Sequence, residues 1–252
     1  MKTLVIPDIH NHVDWIEPAL IEYHKQFQYD EVVFLGDYFD NFHDTPFIAA
    51  KTATWLKNSL SQPNRVHLLG NHDMPYMCPG NASQWCPGFT AEKSRVINST
   101  ISVAEWAKLR PAYYSNDWLF SHAGIQEVLI PYNPNGMLGP EELVRVAEQE
   151  LEKVKRGLES PLFMPGARFG QKNIGGLTWC DWEDEFIPYP YVNQMVGHTP
   201  GSYPRAQHLP HSKNYCVDCS ATVVLITDGN AEFIRKPSKK TKSDPVIEDD
   251  EI

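Results

Sequence analysis

No window of the sequence approaches the roughly 20 consecutive apolar residues of a membrane-spanning helix, so the expectation is a soluble, cytoplasmic protein with no membrane partner. The N-terminus, "MKTLVIPDIHNH", has one Lys, no long apolar core and no small-residue cleavage site, and reads as a first strand. Positive charge is scarce. With 22 Lys and Arg against 32 Asp and Glu, the formal charge is −10, which argues against nucleic acid or an anionic membrane surface as the main partner. Cysteine is sparse and odd in number: five residues, Cys78, Cys86, Cys180, Cys216 and Cys219. That count disfavours a disulfide framework. Cys216 and Cys219 form a C-x-x-C, but no second pair completes a zinc site and "NYCVDCSATVVLI" is strand-like, so buried thiols are expected. Internal repeats are also lacking.

What is present is ordinary globular composition, 42% hydrophobic and 21% charged over 252 residues, enough for one large domain. The domain is expected over residues 1–236. Residues 237–252, "PSKKTKSDPVIEDDEI", are poor in apolar residues and blocky in charge, and read as a disordered tail. Five short apolar runs, "TLVIPD", "EVVFLGD", "RVHLLGN", "WLFSHAG" and "NQMVGH", have the length of buried strands. Helical patterns separate the first three. Residues 14–27 carry Asp14 and Glu17 at capping-box spacing, with Leu20, Tyr23 and Phe27 on one face. Residues 45–60 begin with Thr45 as N-cap and Pro46 in the first turn. This β-α-β-α-β order predicts right-handed crossovers, a largely parallel sheet, and a ligand beyond the carboxyl ends of its strands. Further on, Ser102 and Glu105 form a second capping box, and "GPEELVRVAEQELEKVKRGL" is an amphipathic helix striped by Leu143, Ala147, Leu151, Val154 and Leu158. The last third reads as three strands, the final two joined at Asp228-Gly229-Asn230.

Within "VVFLGDYFDNFHD", a strand-like run ends and Asp37, Asp40 and Asp44 follow within eight positions. Desolvating such carboxylates costs roughly several kcal/mol each unless their charge is compensated, and a cation is the expected compensator. Each of the five strand ends carries a metal-binding side chain: Asp8 and His10, then Asp37, then Asn71 and His72, then His122, then His198. The fold would bring these ends to one edge. His12, His24, His43, His67, His208 and His211 are read as structural. Mixed oxygen and imidazole donors suit Mn, Fe or Zn better than an all-oxygen Ca site or a thiolate zinc site. Two ions sharing a carboxylate, about 3.5–4 Å apart, can activate water and stabilise a transferring phosphoryl group, which makes hydrolysis the natural chemistry.

The motifs D-x-H at Asp8–His10, G-D-x-x-D at Gly36–Asp40, G-N-H-D at Gly70–Asp73, "SHAG" around His122 and "GHTP" at Gly197–Pro200 resemble the calcineurin-like metallophosphoesterases over about residues 1–235. The last two are most similar to the phosphoprotein phosphatase branch and its bacterial relatives, including dinucleoside tetraphosphatases, as is "GGLTWCDWED". The resemblance implies an α/β fold of two packed mixed β-sheets flanked by helices. It implies two divalent metal ions, with Mn expected and Fe or Zn as alternatives. Asp8 and His10 would serve the first, Asp37 would bridge, and Asn71, His122 and His198 would serve the second. It also implies His72 as general acid with Asp40 orienting and charging it; an imidazole held by a carboxylate keeps a proton to donate near neutral pH.

Two positions depart from that branch. Asn41 stands where an arginine usually grips the phosphate, so one bidentate anchor is missing. Arg168, in "MPGARFGQKN", either stands where that branch has another phosphate-binding arginine, at a shorter spacing to Trp179, or is a surface arginine in a Gly-rich loop. Tyr76, Trp85 and Phe89 lie in a long Pro- and Gly-interrupted loop, where they either wall a substrate pocket or anchor the loop to the core. The leading expectation is phosphomonoester hydrolysis by a metal-bridging hydroxide, on a phosphorylated small molecule, nucleotide or phosphoprotein. The alternatives are a dinucleoside polyphosphate hydrolase or phosphodiesterase on the same site, and a non-catalytic scaffold that binds proteins.

Overall fold

A computed structural model describes residues 1–41, 43–134, 136–166, 174–219 and 222–235. The expected tail, residues 237–252, and Arg168 lie outside the described residues. The first third alternates as read: β1 (Lys2–Ile6), α1 (Ile16–Phe27), β2 (Glu31–Phe34), α2 (Pro46–Ser59) and β3 (Arg65–His67). Short helices α3 (Met74–Met77), α4 (Ala91–Thr100) and α5 (Val103–Trp106) follow, then β4 (Ala112–Ser115), β5 (Trp118–Ser121) and the long α6 (Pro140–Lys155). The described residues close with β6 (Gln194–Val196), β7 (Arg205–Leu209), β8 (Ser212–Cys216), β9 (Thr222–Thr227) and β10 (Asn230–Arg235).

Two five-stranded sheets result, ordered β10-β9-β1-β2-β3 and β4-β5-β6-β8-β7. Both are mixed. β1, β2 and β3 pair in parallel, whereas β9 pairs antiparallel with both β1 and β10; β5, β6 and β8 are parallel, with β4 and β7 antiparallel at the edges. Side chains alternate across a strand. Val5 and Val33 accordingly join Trp118, Phe120, Met195 and Val224 in one core cluster, while Leu4, Ile6, Val32 and Phe34 join helix residues such as Leu20 and Leu56 in another. All the described segments lack a helix long and apolar enough to cross a membrane.

Local chemistry explains most boundaries. The Thr45 hydroxyl accepts from Ile48 N at the start of α2, and Ser102 with Glu105 closes a complete capping box on α5. The turn Asp228-Gly229 has both residues at positive φ, the geometry of a tight hairpin. Two expectations fail. Asp14 and Glu17 do not cap α1, because Asp14 pairs with Lys51, and Glu17 takes a two-point bond from Arg65 plus the Trp55 indole N–H. A carboxylate with a guanidinium in reach gains more from it than from a backbone amide. Leu158 lies beyond the end of α6 and is exposed, so the apolar stripe stops at Val154.

At the end of β3, His67 is buried, 3.0 Å from Ser59 Oγ and 3.0 Å from the Tyr38 hydroxyl, with its ring stacked on Phe34. Burial, aided by the charge of Arg65, pushes its pKa down to about 3. In the unfolded chain a histidine protonates near 6.5, so between those values the unfolded state binds the extra proton. The fold therefore loses stability as pH falls through this window, by up to about 1.4 kcal/mol per pH unit from this group. In denaturant titrations at pH 7 and pH 5, His67→Gln is expected to lose less stability than wild type over that interval; equal losses would remove His67 as a cause.

Candidate active site

The carboxyl ends of β1, β2, β3, β5 and β6 meet at one edge of the paired sheets. The backbone ties them together: His10 N donates to Asp37 O at 2.8 Å, and Gly197 N to His122 O at 2.7 Å. His198 N donates to the Asp8 carboxylate at 3.1 Å. Five of the ten described non-glycine residues at positive φ lie here: His10, Asn11, Asp37, Asp40 and His198. Each costs on the order of 1–3 kcal/mol and persists only where the surroundings hold it. Two glycines are required by close approach, since a Cβ at Gly70 would overlap Asp37 Oδ1 and one at Gly197 would overlap Asp8 Oδ1.

The residues expected at the site come together in two groups that share Asp37. Ligand atoms of Asp8, His10 and Asp37 lie within 4.8 Å of one another, and so do those of Asp37, His122 and His198. Asn71 Oδ1 lies 3.1 Å from His122 Nε2 and thereby joins the second group. A carbonyl can only accept, so the 2.8 Å bond from His122 Nδ1 to Leu35 O places a proton on Nδ1 and turns Nε2 toward Asp37. His10 repeats the device, with Nδ1 on Asp40 O at 2.7 Å and Nε2 toward Asp37. Metal-binding histidines are oriented by just such second bonds.

Electrostatics agrees with a cation at this place. Around His122 Nε2 stand Asn71 Oδ1, His198 Nδ1 at 3.2 Å and Asp37 Oδ2 at 3.3 Å, atoms of the types that ligate a cation. Burial works against a charged His122, but Asp37 and Asp8 outweigh it and raise its pKa to about 10. Burial likewise opposes ionisation of Asp37, yet His122, His72 and His10 hold it well below the carboxylate range. Asp8 is pushed up to about 7 by burial and by Asp218. The field that keeps a proton on His122 is the field a divalent ion would replace, which makes metal uptake pH-dependent.

His72 stands at the opening, more exposed than Asp37 or His122, with Nδ1 3.2 Å from Asp40 Oδ2 and its backbone N–H on Asp37 Oδ1. Asn41 has both polar ends on backbone, donating to His10 O and accepting from His43 N. Of the two alternatives for Tyr76, burial favours the anchoring one: it is buried and its hydroxyl donates to Asp40 Oδ1 at 2.6 Å. Trp85 stacks on Phe89 and donates its indole N–H to Pro79 O. All five cysteines are buried and outside any disulfide.

Three side chains emerge only in the fold. Asp73, the last residue of the G-N-H-D motif, accepts the N–H groups of Asp37, Tyr38 and Gly70 at 2.8–2.9 Å and laces the ends of β2 and β3 together. Lys93 reaches Asp40 and Asp44 from α4. Asp218, after β8, adds a further acidic group beside Asp8. Asp73 had a sequence signal in its motif; the other two had none.

The chain belongs to the calcineurin-like phosphoesterase family, whose model matches residues 1–161. Members of this family are metal-dependent phosphohydrolases. Among solved structures, a cold-active protein-tyrosine phosphatase from a psychrophilic Shewanella species superposes with a TM-score of 0.50 at 15% identity, over 93% of this chain and 80% of that one. A protein serine/threonine phosphatase from Saccharomyces cerevisiae gives 0.50 at 15% identity, over 94% and 80%. A hypothetical protein from Pyrococcus horikoshii gives 0.50 at 14%, over 95% and 89%. At these identities the likeness is one of fold. No curated protein matches the sequence.

Proposed function

We propose that the chain is a dinuclear metallophosphatase that hydrolyses a phosphomonoester with His72 as general acid. The observation that carries this reading is the His72–Asp40 pair standing beside two ligand groups with one shared carboxylate. Asp8, His10 and Asp37 would hold one ion, and Asp37, Asn71, His122 and His198 the other, with Mn the proposed metal. When bound, such ions supply Lewis-acid charge for the phosphoryl oxygens and a nucleophile at neutral pH. The protein side chains do the remainder. Asp40 Oδ2 accepts a hydrogen bond from His72 Nδ1–H, which fixes the ring and leaves Nε2–H as the proton for the leaving oxygen. His72 and His10, with ring centroids 5.2 Å apart, line the more open side where a phosphate ester would enter.

A second reading keeps the site and changes the substrate to a dinucleoside polyphosphate or phosphodiester. It is favoured by Asn41, whose side chain is engaged with backbone where a phosphate-gripping arginine would stand. Hydrolysis of 4-nitrophenyl phosphate and bis(4-nitrophenyl) phosphate by Mn-loaded protein, side by side, separates the two. Faster monoester turnover is expected. Diester preference would move the assignment to the second reading, and no turnover of either by protein with bound metal would leave a protein-binding scaffold.

A further inference from the structure

Two buried groups beside the site belong to neither ligand set. Lys93, in the first turn of α4, is only 3% exposed, so it does not reach the opening and cannot itself grip a phosphate. Its Nζ donates to Asp40 Oδ1 at 2.5 Å and to Asp44 Oδ2 at 3.0 Å. The Tyr76 hydroxyl donates to the same Asp40 Oδ1. Asp40 therefore divides its oxygens, Oδ1 to Lys93 and Tyr76, and Oδ2 to His72 Nδ1. Asp44 Oδ2 also accepts from Asn11 Nδ2 at 3.0 Å. Burial opposes the charge on Lys93, but Asp40 and Asp44 outweigh it and hold the ammonium above its ordinary value. Asp40, His72 and Cys86 have the donor types and spacing of a third cation site. The ammonium already fills that electrostatic role, and burial pushes the Cys86 thiol far above its usual range.

We propose that Lys93, assisted by Tyr76, is a positioning residue for the general acid: it pins Asp40 Oδ1 so that Oδ2 stays against His72 Nδ1. This rests on the reading of His72 as the acid. A carboxylate held by one bond can swing and let the imidazole turn, whereas one held at both oxygens fixes the ring within the narrow geometry that proton transfer needs. Asp44 is the counter-charge that lets a lysine sit at this depth, since a buried ammonium needs carboxylate partners.

The test is kcat and KM of the Mn-loaded full chain on aryl phosphates ranging from 4-nitrophenyl to phenyl. A good leaving group needs little protonation, so a defect in acid delivery grows as the leaving group worsens. Lys93→Met is expected to lose about 10- to 100-fold in kcat on phenyl phosphate, the range of a charged hydrogen bond, and clearly less on 4-nitrophenyl phosphate, with KM unchanged. Tyr76→Phe should show the same slope with a smaller loss, and Lys93→Arg should recover part of the rate. In a His72→Ala background, Lys93→Met should cost nothing further. A loss equal across the series, or one that persists in the His72→Ala background, would reduce Lys93 to a fold-supporting residue. Should Lys93→Met not fold, Tyr76→Phe, which removes one hydroxyl, gives the same two readings. If His72→Ala itself shows no leaving-group dependence, the acid assignment fails; if His72→Ala shows it and Lys93→Met does not, the positioning role alone fails.

Discussion

Asp37→Asn is expected to release both metal ions and abolish turnover. The carboxylate is buried and common to the two ligand groups, so an amide, neutral and with one oxygen only, weakens both at once. Lewis-acid stabilisation of a phosphoryl transfer is worth several kcal/mol, roughly. At about 1.4 kcal/mol per tenfold, its loss corresponds to a fall of about a thousandfold or more. Two measurements check this: metal content per chain by elemental analysis, and the thermal midpoint with and without Mn. Wild type should gain stability from the metal by mass action, and the variant should not. A variant that retained two ions per chain would show that Asp37 does not bridge.

His72→Ala is expected to separate chemistry from metal binding. Its side chain is outside both ligand groups that share Asp37, and its backbone N–H, which bonds Asp37 Oδ1, survives substitution. Two ions per chain and a wild-type midpoint should therefore remain. Turnover should fall by about 10²- to 10⁴-fold, the range of a lost general acid, with the larger values for poor leaving groups. Metal loss in this variant would assign His72 to the metal centre instead.

The strand order of the first third was legible because short Val- and Leu-rich runs alternate with capped amphipathic stretches. Gly36, Gly70 and Gly197, each preceding a polar site residue, marked the strand ends. The hairpin of β4 and β5 was not read: its turn is Asn116-Asp117, both at positive φ, and carries no glycine to announce it. The edge strand β7 was missed because its residues are largely solvent-facing and show no apolar alternation. At the site, the crowding of Asp37, Asp40 and Asp44 pointed to a cation, and the structure divides the answer. Asp37 faces histidines, while Asp40 and Asp44 are compensated by the chain's own Lys93. That lysine is about 50 positions away on a helix whose pattern gives no hint that one charged side chain turns inward, and pairing over such distances is a property of the tertiary fold.

The bond from His198 N to Asp8 spans 190 positions, and β1 lies between β2 and β9. During synthesis the first strand thus waits for one of the last to complete its sheet. The edge where the strand ends meet cannot close on a nascent chain until the segment through β9 has left the ribosome. A chain stalled before residue 198 would carry Asp8, His10 and Asp37 without the histidine that stands with Asp37 and His122 in the second group, so the proposed pair of metal sites would be complete only after β6 has emerged.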